Sequence, residues 1–475
     1  HGVQRHRRPD RAGKTGFQNP NVAAHWREDT LVGVLQSRDA HGFIDRNIAL
    51  LLADEARLLR QVVHILRVAC RAAIPRRLFG VDSVGEFFLP KGNGWIGAGQ
   101  LMQVAIPLFT DADLLLIVGF LEDWVLLTKF GIQYPRGASS IAKVAWHWLP
   151  KIPWRCPVRD AEERLLRVIL ALPRAAEPTL TEKVEEALTD GRHGRSDGNL
   201  LKLIFNHFAC DAVFRDLPDL GFRVAEHALD LNRSIAEVVA DRSDFSSEAV
   251  NHAFGLGARF SMDDFPSSAF NGPYLRMLSH HPTRGVDFII RLINRACEAF
   301  AHPNNHYEHI KPPGTVVLHL ADGPHEQHAN WSLWAAYRGM NVTPNTFESA
   351  LMALEYWLLE KAKRGDPNLE AILLDLLRRT NSVAITAVVA SIAAAKPSLA
   401  GEAAYALLTC PPLLKADLTR SSQEPFMTGQ LGGFGIPQIS AEKGLYDKER
   451  KESARLEHRN RNLEYVAVVL QMTAE

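Results

Sequence analysis

No two cysteines in this chain stand in a CxxC pair. The five that occur (Cys70, Cys156, Cys210, Cys297 and Cys410) are dispersed through the sequence. Their spacing excludes a zinc site of the ribbon or finger type. Four of the five follow or sit within apolar helical runs, where small buried hydrophobes belong, and an odd, scattered set suits a reducing compartment. Net charge is also missing, because 54 Lys and Arg balance 54 Asp and Glu. A general nucleic-acid coat or a polybasic membrane anchor needs an excess of cations. Long apolar runs are absent as well. The best, residues 114–127, is interrupted by Glu122 and Asp123, and residues 383–395 are too few to span a bilayer. The basic start, residues 1–8, is not followed by the apolar core of a signal peptide. These absences lead to the expectation of a cytoplasmic protein with no membrane contact.

The familiar catalytic signatures are missing too. Gly13-Lys14-Thr15 resembles the tail of a phosphate-binding loop, but the first glycine of that motif would fall on Arg8, and no buried strand precedes it. The Gly-rich turn at residues 90–97 has no strand before it and matches no phosphate-binding spacing. A GxSxG nucleophile elbow does not occur. The adjacent carboxylates Asp263-Asp264 and Glu162-Glu163 lie near helix starts or loops, where acids suit the helix dipole.

What the sequence has in abundance is helical periodicity. Phe347, Ala350, Leu351, Leu354, Trp357 and Leu358 form one apolar stripe, with Lys361, Lys363 and Arg364 before the stop at Gly365 and Pro367. Asn345 as N-cap and Glu348 three residues later read as a capping box. Residues 367–377, 383–395 and 398–409 give three further helices, the second capped by Asn381-Ser382 and the last stopped by Pro411-Pro412. Such short connections make neighbouring helices antiparallel, as in helical hairpins and solenoids. The fold class expected is therefore all-α, an irregular helical-hairpin array of α-solenoid type. No repeat of fixed length occurs.

A division follows from composition. Residues 1–40 read as a polar, basic linker or remnant, and 41–310 as a helical array that includes strong patterns at 45–70, 137–149, 160–172 and 286–300. Residues 311–340 form a His- and Trp-rich insertion. Within it, Thr315 to Leu320 alternates and Asp322-Gly323 marks a turn, so a small β-hairpin is expected, with residues 330–337 either its second strand or already helical. Residues 341–412 are helical hairpins, 413–440 a Gly-rich loop, and 441–475 one charged helix. Its ions, among them Glu449, Arg450, Arg459 and Arg461, read as a solvated face. The chain begins with His1 and ends within a periodic stripe, which leads to the expectation of a piece of a longer polypeptide.

Two sets of residues are candidates for a site. His302, His306 and His309 follow one another at spacings of four and three, which on a helix would place three imidazoles on one face for a metal such as zinc, with Asp322 or Glu326 adding a carboxylate. Pro303 interrupts that helix, and His325-Glu326-Gln327-His328 is one residue short of HExxH. The second set, Trp331, Trp334, Tyr337 and Arg338, could form a protein-recognition surface, although core packing between the insertion and the following helix is the preferred reading.

The stretch Trp331-Ser-Leu-Trp-Ala-Ala-Tyr-Arg-Gly339, followed by Ser349-Ala-Leu-Met-Ala-Leu-Glu-Tyr-Trp-Leu-Leu359, resembles the helical part of large bacterial STAND-type NTPases, several of which act in anti-phage defence. So do residues 377–390 and 452–470, where His458-Arg459 lead into Leu463-Glu464. The resemblance implies an α-helical array that senses a partner or couples sensing to an ATPase. In that family a separate P-loop domain binds the nucleotide, so no catalytic residue carries over here. The expected function is thus a non-catalytic scaffold and recognition region of a larger cytoplasmic bacterial protein. No cofactor is expected, and its partner would be another protein or further domains of the same polypeptide. The alternatives are a metal-dependent hydrolase using zinc at the histidines, and nucleic-acid binding through residues 5–11 and 71–77.

Overall fold

The computed structural model describes residues 99–100, 102–103, 105–128, 135–152, 160–189, 195–240, 249–256, 266–303, 305, 311–340, 343–431 and 441–473. Among them are twenty α-helices and one two-stranded antiparallel hairpin. The all-α array with a small β-hairpin insertion is therefore the fold. The expected linker at 1–40 and the helical pattern at 45–70 lie outside the described residues. The chain forms two compact units that divide between Glu186 and Ala187, inside the stretch expected to be a single array.

In the first unit, helices Leu114–Thr128 (α1), Pro135–Trp148 (α2), Ala161–Ala171 (α3) and Pro173–Ala176 (α4) pack against one another, and Thr179–Thr189 (α5) leads across the division. The chain enters α1 through a 3-10 turn closed by a capping box, in which Asp113 Oδ2 accepts from the Thr110 backbone N–H at 2.9 Å. Ile117, Phe120, Leu121 and Trp124 of α1 are buried, as are Leu165, Val168 and Ile169 of α3. Arg164 and Glu122 tie these two helices with a forked ion pair, Nε to Oε1 at 2.8 Å and Nη2 to Oε2 at 2.5 Å.

The second unit continues with Arg195–Phe205 (α6), Asp211–Asp216 (α7), Pro218–Ala228 (α8), Ile235–Ala240 (α9), Ala249–Ala253 (α10), Tyr274–His280 (α11) and Pro282–Ala301 (α12). Prolines open α8 and α12, where the missing N–H has no intrahelical partner to lose. Gly285 lets α12 approach α11 closely. A Cβ there would lie 2.9 Å from Leu278 N and Met277 C, both backbone atoms that no rotamer change can clear. Gly285→Ala is therefore expected to destabilise the unit by about 1–3 kcal/mol, the usual range for overpacking. An unchanged urea midpoint for this variant would show that the approach is looser than described.

The strands Gly314–Leu320 (β1) and Gly323–Ala329 (β2) pair from Gly314↔Ala329 to Leu320↔Gly323. A two-residue turn, Ala321-Asp322, joins them, and Gly323, which opens β2, has a positive φ of 130°, a conformation open to glycine. Val316 and Leu318 face inward. The outer edge of β2 is pinned to the start of the later helix Val383–Ala395, because His328 N donates to Asn381 O at 2.7 Å and Thr386 Oγ1 to Gln327 Oε1 at 2.7 Å. Residues 331–338 are helical, Trp331–Ala335 (α13) and a 3-10 turn Ala336–Arg338, so the second strand is the His-rich segment before them.

Helices Asn345–Arg364 (α14), Leu369–Arg379 (α15), Val383–Ala395 (α16) and Gly401–Leu408 (α17) follow the expected hairpins. Helix α16 is apolar on every side, and every residue from Val383 to Ala394 is buried, as such a pattern requires. It packs against α13, α14, α15 and α17. Ser382 caps it by accepting from Ala384 N at 3.1 Å. The expected capping box at Asn345 is not formed. Pro344 holds the N-cap position, and Glu348 instead accepts from Thr343 Oγ1 at 2.5 Å and Ser267 Oγ at 2.6 Å. A buried hydroxyl from another element outcompetes the local backbone.

Two further corrections fall at the C-terminal end. The helix before Pro411-Pro412 stops as expected, at Leu408, but in place of a Gly-rich loop from 413 the prolines open a new helix, Pro411–Leu431 (α18). Prolines in a first turn lack only donors that would be unpaired anyway. Of the expected loop, residues 432–440 lie outside the described residues. The single charged helix expected over 441–475 is two helices, Ala441–Ala454 (α19) and Leu463–Thr473 (α20), separated by a turn with a 3-10 segment, Glu457–Asn460. Among the described residues no helix is long and apolar enough to cross a membrane.

Candidate functional site

The candidate site grows from that break between α19 and α20. Arg459, in the intervening turn, is buried rather than solvated. Its guanidinium grips the buried Glu355 carboxylate of α14 with both nitrogens, Nη1 to Oε1 at 2.6 Å and Nη2 to Oε2 at 2.6 Å. Ser391 of α16 donates its hydroxyl to the same carboxylate and accepts from Arg459 Nη1 at 3.2 Å. Ser453 Oγ accepts from Arg459 Nη2 at 3.0 Å, and the guanidinium lies 5.8 Å from the centre of the buried Tyr337 ring. This forked geometry is the strongest way a guanidinium and a carboxylate meet.

A second cluster adjoins the first. Arg338 Nε donates to Glu424 Oε1 of α18 at 2.6 Å. Arg420, one turn earlier on α18, donates to Glu424 Oε2 at 2.6 Å and to Asp417 Oδ1 at 2.7 Å. Arg420 also reads the backbone of the Arg459 turn, with Nη1 to Arg459 O at 3.3 Å and Nη2 to Arg461 O at 2.5 Å. Asp417 Oδ2 then accepts the backbone N–H of Leu463 at 2.8 Å, the first residue of α20. Three guanidinium groups (Arg338, Arg420, Arg459) thus meet three carboxylates (Glu355, Asp417, Glu424), all buried.

The electrostatics follow from this matching. Burial alone would raise the Glu355 carboxyl, but the Arg459 guanidinium beside it holds it down at about 2. Burial likewise opposes ionisation of Glu424, and Arg338, Arg459 and Arg420 together keep it below the usual carboxylate range. Burial pushes the Tyr337 hydroxyl up to about 12. On α19, Glu449 accepts from Ser268 Oγ at 2.6 Å and Ala269 N at 3.2 Å, and burial raises its carboxyl. His458 is lowered to about 4 by burial and by Arg459, and His207 to about 3 by burial and by Arg276.

These shifts set a pH dependence. Both histidines are neutral in the fold, so their contribution is fully present above the ordinary value of 6.5 and is lost as pH falls toward about 4 and about 3. Glu355, with its depressed value, adds a second loss below 4.5 that extends toward 2. Glu449 acts in the opposite sense, its contribution being lost as pH rises through its raised value. The urea midpoint is expected to fall steadily between pH 6.5 and 4, and less steeply in a His458→Asn variant. Equal slopes for the two proteins would show that His458 is not held neutral.

The residues singled out from the sequence fare differently. Trp334, Tyr337 and Arg338 are 1%, 2% and 4% exposed, and Trp331 is half-buried. Tyr337 and Arg338 adjoin the charge network and Trp334 is buried in the core, so for these three side chains core packing replaces the surface reading. Tyr337 and Arg338 face the network because the 3-10 turn after α13 tightens the helix and turns them toward α18 and the Arg459 turn. His302 is the C-cap residue of α12, and His306 and His309 lie outside the described residues. Asp322, offered as a carboxylate ligand, instead accepts from His325 Nε2 at 3.1 Å and pairs with Arg378 Nε at 3.2 Å. Among the described residues no group of three or more His, Cys, Asp or Glu is placed to hold a metal ion.

Sequence reasoning missed Glu355, Ser391, Asp417, Arg420, Glu424 and the burial of Glu449 and Arg459. One signal was present: Glu355 interrupts an otherwise apolar face between Leu354 and Leu358, and a charge inside a core stripe calls for a partner. No family model matches the chain, and no curated protein matches it.

Proposed function

We propose that this chain is a non-catalytic helical scaffold and recognition region of a larger cytoplasmic bacterial protein, in the specific form of the sensing or coupling part of a STAND-type defence ATPase. One observation carries the reading. Six buried charges of the second unit, Arg338, Arg420 and Arg459 with Glu355, Asp417 and Glu424, are matched to one another and join α14, α16, α18 and the α19–α20 turn. Such matching fixes the register of helices against each other, which is what a sensing or coupling array needs. Its partner would be another protein or further domains of the same polypeptide, and the resemblance of residues 331–359 and 452–470 supports the STAND form of the proposal.

The test is a turnover assay on the purified chain with nucleoside triphosphates and a panel of ester and phosphoester substrates, beside elemental analysis for bound metal. No turnover and no stoichiometric metal is the expected result. Hydrolysis abolished by a point change, or zinc lost on replacing His302, would overturn the scaffold reading in favour of a metal-dependent hydrolase.

A further inference from the structure

The turn that carries Arg459 is held in the manner of a bound peptide. Its side-chain anchor enters a receptor made by other elements: the forked Glu355 carboxylate, the Ser391 hydroxyl and the Tyr337 ring. Its backbone is read at the anchor and beyond it by α18, through Arg420 to the carbonyls of Arg459 and Arg461 and through Asp417 to the N–H of Leu463. Side-chain anchoring together with main-chain hydrogen bonds is the general pattern of peptide recognition. The rest of the segment is attached by polar as well as apolar contacts. Among its described residues, Ala441 to Thr473 buries only Tyr446, Leu463 and Val466 as apolar side chains, against Glu449, His458 and Arg459 as polar ones. Tyr446 stacks on Phe208 at a ring separation of 6.1 Å, and Glu449 plugs onto Ser268 and Ala269. Helix α16, buried from Val383 to Ala394, meets α13, α14 and α15 of the body as well as α20 and the Glu457–Asn460 turn of the segment.

We infer that Glu355, Ser391, Tyr337, Asp417 and Arg420 form an arginine-reading peptide site that the chain's own 457–463 turn occupies in cis. An arginine-bearing segment of a protein partner, entering the same receptor, releases α19 and α20 as one strap. This inference rests on the recognition reading above and gives the partner's chemistry. The ligand must offer a planar, forked guanidinium, which a lysine ammonium cannot imitate. It must also present free carbonyls at the anchor and two residues beyond it.

The test uses the full chain and a fluorescein-labelled synthetic peptide of residues 455–466, titrated to millimolar by anisotropy. The cis turn competes at an effective concentration of that order, so the unaltered chain is expected to bind the peptide at least tenfold more weakly than an Arg459→Ala variant. Lysine in place of the anchor arginine of the peptide, or Glu355→Gln added to the variant, is expected to remove that binding. The site is overturned if the folded Arg459→Ala chain does not bind the peptide, or binds the lysine form equally well. Should Arg459→Ala fail to fold, hydrogen exchange on the unaltered chain decides. Amides of residues 441–473 exchanging together, ahead of those of α14 and α16, uphold the strap, whereas equal protection overturns it. Loss of peptide binding leaves the scaffold reading intact, and substrate turnover sinks that reading without touching the peptide result.

Discussion

Arg459→Met is expected to weaken the attachment of residues 441–473 by about 3–5 kcal/mol, the cost of removing one partner from a buried ion pair. Hydrogen exchange would show it as roughly a hundredfold to several-thousandfold loss of protection in those amides, at about 1.4 kcal/mol per decade. The reason is the environment left behind. Glu355 is 3% exposed and keeps only the Ser391 hydroxyl once the guanidinium is gone. Glu355→Gln leaves the guanidinium buried in turn without a counter-charge on residue 355, facing a neutral amide oxygen, the Ser391 and Ser453 hydroxyls and the Tyr337 ring. The double variant Arg459→Met with Glu355→Leu removes both charges together, and is expected to recover most of the loss because matched apolar groups replace a buried pair at little cost. The double-mutant cycle isolates the coupling. A single-variant loss below about 1 kcal/mol, the value of a surface pair, would show that water reaches this pair freely.

Trp334→Ala is expected to cost about 3–5 kcal/mol, and Trp331→Ala less than about 1.5 kcal/mol, although the two stand one helical turn apart. Trp334 is 1% exposed and sits in the core where α13 meets α16 and α18. Truncating it leaves a cavity that the rigid, wholly buried α16 cannot collapse to fill. Trp331 is half-buried at the start of α13, where the neighbouring Asn330 side chain caps the helix by accepting from Leu333 N at 2.8 Å, a contact the substitution leaves in place. Denaturant midpoints of the two variants measure the difference. Similar small losses for both would restore the reading of this tryptophan cluster as a recognition surface.

Legibility of the fold followed the range of the interactions. Helices whose ends are marked by local chemistry were readable. Gly365, at φ +66°, ends α14 with Asp366 N returning to Lys361 O at 3.1 Å. Ser382 caps α16, and the alternation from Thr315 to Leu320 gave β1. Where the deciding partner was remote, the reading went astray. Glu348 looked like half of a capping box because Ser267, 81 residues away, is not visible at that range. The tail looked like one helix because Lys, Glu and Arg are good helix formers, and nothing within the tail announces Arg420. The charged residues of α19 were all assigned to water for the same reason, since a solvated face and a face holding one buried Glu449 have the same composition.

The sequence by itself therefore determined the class of this protein: an all-α array with one small hairpin and helices broken at glycine and proline. Each of these depends on residues within a few positions of one another, through periodicity, caps and backbone preference. Only the tertiary structure decided which charges are buried, where the C-terminal helix breaks, and that Trp334, Tyr337 and Arg338 belong to the interior. Those outcomes depend on desolvation, and whether a charge is stable without water is set by its partner. Arg459 is stable in the core because Glu355, 104 residues earlier, meets it there.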